Sequence, residues 1–202
     1  MHARLLTFTG NDRIDDVLFL WEATVFILRA QAGFCGVAAG IDRKAKTATI
    51  LSLWASEEDL VASDAAMLER REAAMVRSGA TMQVEQFEQV SQAVAKAPAP
   101  GSALMLTRFT VAPTAVEDSL RYLEQELLSG LLAQSGFCAM RTLFDHRTGR
   151  GVTGLSWDDP AAMEAGEEVL RQKMSAAPAP GLHLEDSHRI EIQVFEMDRL
   201  DP

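Results

Sequence analysis

The sequence predicts an α+β fold built from two copies of one β-α-β-β-α-β unit, and three observations predict it. The chain repeats itself: Gln31-Ala32-Gly33-Phe34-Cys35 returns as Gln134-Ser135-Gly136-Phe137-Cys138, a shift of 103 residues. At the same shift Asp42 answers to Asp145 and Trp54 to Trp157. Within each half, short runs rich in Thr, Phe, Val and Ile alternate with stretches of helical periodicity. The length of 202 residues leaves about 90–100 residues per copy, near the lower end of comfortable domain size.

In the first copy, residues 4–9 are short, apolar and Thr/Phe-bearing, and read as a strand. Gly10-Asn11-Asp12 is a turn or helix start. Ile14, Val17, Leu18, Trp21, Val25 and Leu28 recur at helical spacing and predict a helix that ends near Gly33, a favourable left-handed C-terminal residue. Residues 34–41 and 47–54 form the second and third strands, a hairpin turning through Asp42-Arg43-Lys44-Ala45-Lys46. Ser56-Glu57-Glu58-Asp59 is a capping-box pattern that opens a second helix. This helix runs through Met67, Leu68 and Met75 and stops near Ser78-Gly79. Residues 82–90 are the fourth strand.

The second copy repeats the order. Strands are expected at 103–111, 137–144, 151–157 and 188–197. Val116, Leu120, Leu123, Leu127 and Leu131 share one face of a helix over 115–132. Asp159 with Pro160 caps and starts a helix reaching about residue 174. Arg108 reads as an insertion relative to Thr7-Phe8, hence a bulge. The order in each copy is the split unit of ferredoxin-like folds. The expected domains are therefore 1–90 and 103–202, joined by a semi-rigid Ala/Pro linker over 91–102 that contains Ala97-Pro98-Ala99-Pro100-Gly101. The same five residue types return at 177–181 inside the second copy, which lengthens the loop before its last strand.

Strands two and three carry apolar residues on both faces (Phe34, Val37, Ile41; Ile50, Leu51, Leu53), and such strands need a second covering layer. Each copy offers the other that cover. The expectation is two sheets pressed face to face into one pseudo-twofold barrel within a single chain.

Composition excludes several functions. A net charge of −10 lacks the basic footprint that nucleic acid or an anionic membrane surface requires. The longest apolar-looking stretch, 17–28, is broken by Glu22 and far short of a membrane span of about 20 residues. No signal-peptide pattern opens the chain, so a cytoplasmic protein is expected. Cys35 and Cys138 are equivalents of one another, too few for a disulfide framework, and read as small buried apolar side chains.

Leu53-Trp54-Ala55-Ser56-Glu57-Glu58-Asp59 after the third strand, with Gly-Phe opening the second strand and an Asp-containing hairpin, resembles the dimeric α/β-barrel proteins of the antibiotic biosynthesis monooxygenase type. Ser156-Trp157-Asp158-Asp159 carries the likeness less fully. The resemblance spans 3–90 and 103–197 and looks like a tandem-fused form of the usual homodimer. It implies a ligand pocket between sheet and helices of each unit, and one of three kinds of protein: a cofactor-independent oxygenase of aromatic substrates, a haem-degrading enzyme, or a protein without activity. Haem degradation in that family uses a histidine on the helix after the Trp. Residues 56–79 and 159–174 contain none.

The candidate site residues each carry two readings. Trp54 and Trp157 either wall a pocket and stack a flat substrate or cap the core beneath the second helix. Trp21 either shapes a pocket in unit one or fills core. Tyr122, the only tyrosine, is a candidate for orienting or deprotonating a substrate hydroxyl, although its place between Leu120 and Leu123 suggests the helix surface. His188 shares parity with Ile190 and Ile192 and is the candidate base. His2 and His146 fall at a terminus and a turn tip. His183 and His188 with Glu185 and Asp186 do not have a recognised metal spacing. Arg141 stands where the first copy has Ala38, and either makes a salt bridge to Glu191 or Asp145 or anchors an acidic ligand.

No phosphate-binding glycine loop, nucleophile elbow or zinc-spaced cysteine pair occurs. The expectation is a monooxygenase-like protein with no metal or organic cofactor, acting on a small aromatic or apolar substrate in unit two, with a non-catalytic small-molecule binder as the alternative. Further homodimerisation is open.

Overall fold

The computed structural model describes residues 1–19, 21–176, 179 and 181–197. These residues fall into two compact units: 1–88 together with 192–197, and 89–191. The fold is α+β with antiparallel strands.

Unit one contains β1 (His2–Thr9), α1 (Trp21–Arg29), β2 (Phe34–Asp42), β3 (Thr47–Trp54), α2 (Glu57–Ala62), α3 (Asp64–Ser78) and the first part of β4 (Thr81–Val94). β1 lies centrally, pairing with β3 on one side and β4 on the other, and β3 pairs with β2. The strand order β4-β1-β3-β2 is that of the split β-α-β-β-α-β unit.

Two expected helices of this unit are interrupted. The first has a 3-10 turn over Ile14–Leu18 before α1 begins at Trp21. The second breaks at Ser63. The Leu60 carbonyl accepts from the Arg4 guanidinium at 2.6 Å and from the Ser63 hydroxyl at 2.7 Å. Those two donors take the place of the next helical N–H, and the helix restarts one residue on. The Ser56 cap is as expected: its Oγ accepts from the Asp59 backbone N–H at 3.1 Å.

Unit two contains β5 (Ala103–Val111), α4 (Val116–Tyr122), α5 (Leu128–Leu132), β6 (Phe137–Asp145), β7 (Arg150–Trp157), α6 (Pro160–Ala176) and the first part of β8 (Leu182–Met197). Its order is β8-β5-β7-β6. β4 extends to Val94 and β8 begins at Leu182, so strand pairing continues into both segments that composition marked as loop.

The expected helix over 115–132 is present but contains a π-helical turn at Leu123–Leu127 between α4 and α5. Arg108 is not an insertion. β5 pairs with β7 without interruption, Arg108 opposite Val152, and Arg108 therefore holds the place of Thr7. The irregularity lies on the other side, where the register against β8 shifts between Thr107 and Phe109. Gly33 and Gly136 both follow their helices at positive φ, 68° and 81°, as the repeated motif requires.

Each unit buries its own core between sheet and helices. In unit two this core includes Phe109, Leu127, Phe144 and Leu170. In unit one Phe8, Ile14 and Ile41 form one cluster, and Val37, Trp54 and Leu60 another. No described helix is long and apolar enough to cross a membrane.

Candidate functional site

The two units differ most in what lies between sheet and helices. Unit two has a cavity of about 750 Å3. Its floor is β5, β7 and β8; its roof is the π-helical turn and α6. Leu123 and Leu127, the ends of the π turn, both line it. A π turn spreads the helix at one point, and such turns recur at functional sites. The cavity in the corresponding place of unit one measures only about 50 Å3.

Register explains the difference. Arg4 pairs with Ser52 in unit one, and Met105 pairs with Leu155 in unit two, the same place in the two sheets. On the second helix Met67 answers to Leu170 at the 103-residue shift, and at the same shift Arg71 answers to Met174. Met105 and Met174 line the large cavity; Arg4 and Arg71 line the small one. Two flexible thioether side chains thus stand where unit one has two guanidinium groups, Arg4 bonded to Leu60, Ser63 and Asp64 and Arg71 bonded to Asp64.

The unit-two cavity is mainly apolar, with charged groups on part of its wall. Arg189 donates to the Glu167 carboxylate at 2.5 Å. Thr107 and Ser187 hydroxyls lie 3.1 Å apart. Asp186 lines the cavity and also reaches Arg108 at 3.6 Å and His188 Nε2 at 3.4 Å. Glu185, also lining, lies 3.5 Å from Arg150. A carboxylate beside an apolar chamber is a suitable proton acceptor, and a guanidinium beside it can hold a developing oxyanion.

The residues singled out in the sequence take different places. His188 does not line the cavity, although Asp186, Ser187 and Arg189 do; its Nε2 lies 3.4 Å from the Asp186 carboxylate. Tyr122 is buried in the unit-two core, not on the helix surface: the buried side of α4 runs through Ser119, Tyr122 and Leu123. Among the described residues its hydroxyl has no hydrogen-bond partner, and burial, with the nearby Glu126, pushes its pKa up. It does not line the cavity either.

Trp54 and Trp157 are fully buried. Trp54 donates to Ser52 Oγ at 3.1 Å and meets Phe34 edge to face at 5.6 Å. Trp157 points its N–H at Gln134 Oε1, 3.4 Å away, and meets Phe137 edge to face at 5.9 Å. Neither lines a described cavity. Trp21 does line the small cavity of unit one. Arg141 hydrogen-bonds Gln92 Oε1 at 2.7 Å, and burial pulls its guanidinium down to about 10.

Cys138 is buried, and its thiol lies 3.6 Å from Asp158. Burial, helped by that carboxylate, pushes it up to about 11, far from a reactive thiolate. Among the described residues no group of three His, Cys, Asp or Glu side chains is placed to hold a metal ion.

Sequence reasoning missed Glu167 and Arg189. A signal for Glu167 existed: Met163, Glu167, Leu170 and Met174 follow helical spacing, a single carboxylate in an apolar stripe. Arg189 carried none, because it shares strand parity with Glu191 and reads as solvent-facing.

No family model matches the chain. Two uncharacterised proteins of Mycobacterium tuberculosis, from strains CDC 1551 and H37Rv, are each 25% identical over 199 residues, covering 98% of this chain and 87% of theirs. Among solved structures, an anthrone oxidase-like protein superimposes with a TM-score of 0.66 at 18% identity, covering 98% of this chain and 93% of that one. A Lactobacillus acidophilus protein provisionally designated a monooxygenase gives 0.71 at 9%, covering 98% and 96%. A Listeria monocytogenes ferredoxin-fold protein related to antibiotic biosynthesis monooxygenases gives 0.55 at 6%, covering 94% of each. These likenesses extend over nearly the whole chain and show a fold shared with the antibiotic biosynthesis monooxygenase-type ferredoxin-like proteins.

Proposed function

We propose that the unit-two cavity binds a small, mainly apolar or aromatic molecule and supports its direct oxygenation by O2. The observation that carries this reading is the 750 Å3 cavity with the Glu167–Arg189 pair in its wall. That volume lies in the range of small-molecule sites, about 300–1,000 Å3. The likeness to an anthrone oxidase-like protein suggests a substrate class: a fused aromatic ketone with an activated ring CH2.

The chemistry balances without an outside reductant. Glu167 removes one proton from the activated CH2, and Arg189 stabilises the resulting enolate oxygen. O2 adds at the carbon, and the hydroperoxide loses water to leave a carbonyl. CH2 and O2 become C=O and H2O, with all electrons supplied by the two C–H bonds. The apolar wall keeps the carbanion from bulk protons.

The test is turnover of anthrone under 18O2, read by mass spectrometry of the quinone against the spontaneous rate. The expected result is enzyme-dependent label in the product carbonyl, reduced about 100-fold in Glu167→Gln. Saturable binding of anthrone with no oxidation above background would leave the non-catalytic binder as the function. A Glu167→Gln variant as active as the parent would remove Glu167 from the reaction.

A further inference from the structure

We propose that the small cavity of unit one is a binding site for one small monovalent anion, held by Arg4 and Arg71 with the indole N–H of Trp21. This site is separate from the unit-two cavity and does not rest on the reading given to it.

Among the described residues, three arginines line this cavity, Arg4, Arg70 and Arg71, and no carboxylate does. That is a pronounced local excess of positive charge in a chain of net charge −10. Arg4 is 2% exposed and Arg71 7%. Both lean on one carboxylate, Asp64, at 3.1 and 2.6 Å, and that side chain is 55% exposed. Two buried guanidinium groups therefore share a single, mostly solvated counter-charge. Charge held away from water without full compensation is costly and calls for a partner.

Two donors are also unmet. Arg4 Nε and Trp21 Nε1 are both buried and lack a hydrogen-bond partner among the described residues, and both residues border the cavity. Buried N–H groups are seldom left so. Arg4 Nη1 donates to Ser63 Oγ at 2.9 Å and Nη2 to the Leu60 carbonyl at 2.6 Å, so the guanidinium is held in place before any ligand arrives. Burial, then repulsion from Arg71, pulls Arg4 below its ordinary pKa against the opposing charge of Asp64.

Size limits the ligand. About 50 Å3 admits a group of a few heavy atoms, such as chloride, formate or nitrate, and excludes a sugar acid or a phosphomonoester. Unit two lacks the pattern, because Met105 and Met174 stand in the equivalent places.

The experiment titrates the full-length protein with sodium formate or sodium chloride. Ionic strength is held constant with sodium gluconate, whose anion is too large for the cavity. Tryptophan emission and Tm are read together. The expected result is a saturable emission change with a Tm rise of about 4 °C at roughly ten times the titration midpoint. Arg4→Met should weaken the response at least tenfold while keeping the far-UV CD of the parent. Trp21→Phe should silence the emission change. Formate and chloride behaving no differently from gluconate would overturn the proposal, as would Arg4→Met titrating like the parent. Should Arg4→Met fail to fold, Arg71→Met is held to the same two criteria.

Discussion

Arg4 and Met105 occupy one and the same position of the repeated unit, opposite Ser52 and Leu155; Arg4 lines a nearly filled cavity and Met105 an open one. Arg4 reaches across to the second helix and bonds it at Leu60 and Ser63. Met105 has nothing to donate and leaves the space beneath α6 available.

Placing arginine at position 105 should therefore close the unit-two site. Met105→Arg is expected to raise the dissociation constant of an uncharged apolar dye such as Nile red at least tenfold, since it brings a charge and its hydration into an apolar chamber. Dye binding equal to the parent's, in a protein with unchanged Tm, would mean that ligands do not enter this cavity.

Gly166 on α6 packs directly against the Trp157 ring. A Cβ there would lie 2.5 Å from Cζ2 and 2.7 Å from Nε1 of a fully buried side chain. Alanine gains about 1 kcal/mol over glycine from helix propensity. Overpacking a rigid core position costs about 1–3 kcal/mol. The clash should win: Gly166→Ala is expected to destabilise by up to about 2 kcal/mol, read as a lower urea midpoint at unchanged slope.

Asp64 links acid stability to the arginines of unit one. Partial burial works to raise its pKa, but the hydrogen bond and charge of Arg71 and the charge of Arg4 outweigh it and leave the carboxyl below its ordinary value. A carboxyl depressed in the folded state adds stability above its unfolded pKa and loses it as pH falls through the folded value. The loss therefore falls at and below about pH 4. Asp64→Asn should cost about 1–2 kcal/mol at pH 7, a range reduced from that of fully buried pairs because Asp64 is half-exposed. It should also flatten the stability profile below about pH 4. Parallel profiles for variant and parent in urea titrations would show that the pair contributes nothing.

Much of the fold was legible in the chain. The repeated Gly-Phe-Cys segment and the equivalent Trp54 and Trp157 marked two copies of one unit, and strand runs against helical stripes set the order of elements. Helix breaks were not legible. The interruption at Ser63 arises because Arg4, 59 residues earlier, takes a helix carbonyl, and no local propensity reports a contact of that range. The site was less legible than the fold. Trp54 and Trp157 drew attention as large aromatics, yet each is sealed in by its Phe neighbour. His188 drew attention as a titratable group, yet it is its strand neighbours Asp186, Ser187 and Arg189 that line the cavity.

The sequence by itself determined the unit, its duplication and the burial of its apolar faces, because these follow from periodicity and repetition along the chain. Sequence reasoning placed the pocket in unit two, but only the tertiary structure decided which groups meet there. That choice depends on side chains distant in sequence, Met105 with Met174 and Glu167 with Arg189 in one unit, Arg4 with Arg71 and Trp21 in the other, and their meeting is fixed by sheet register and helix packing.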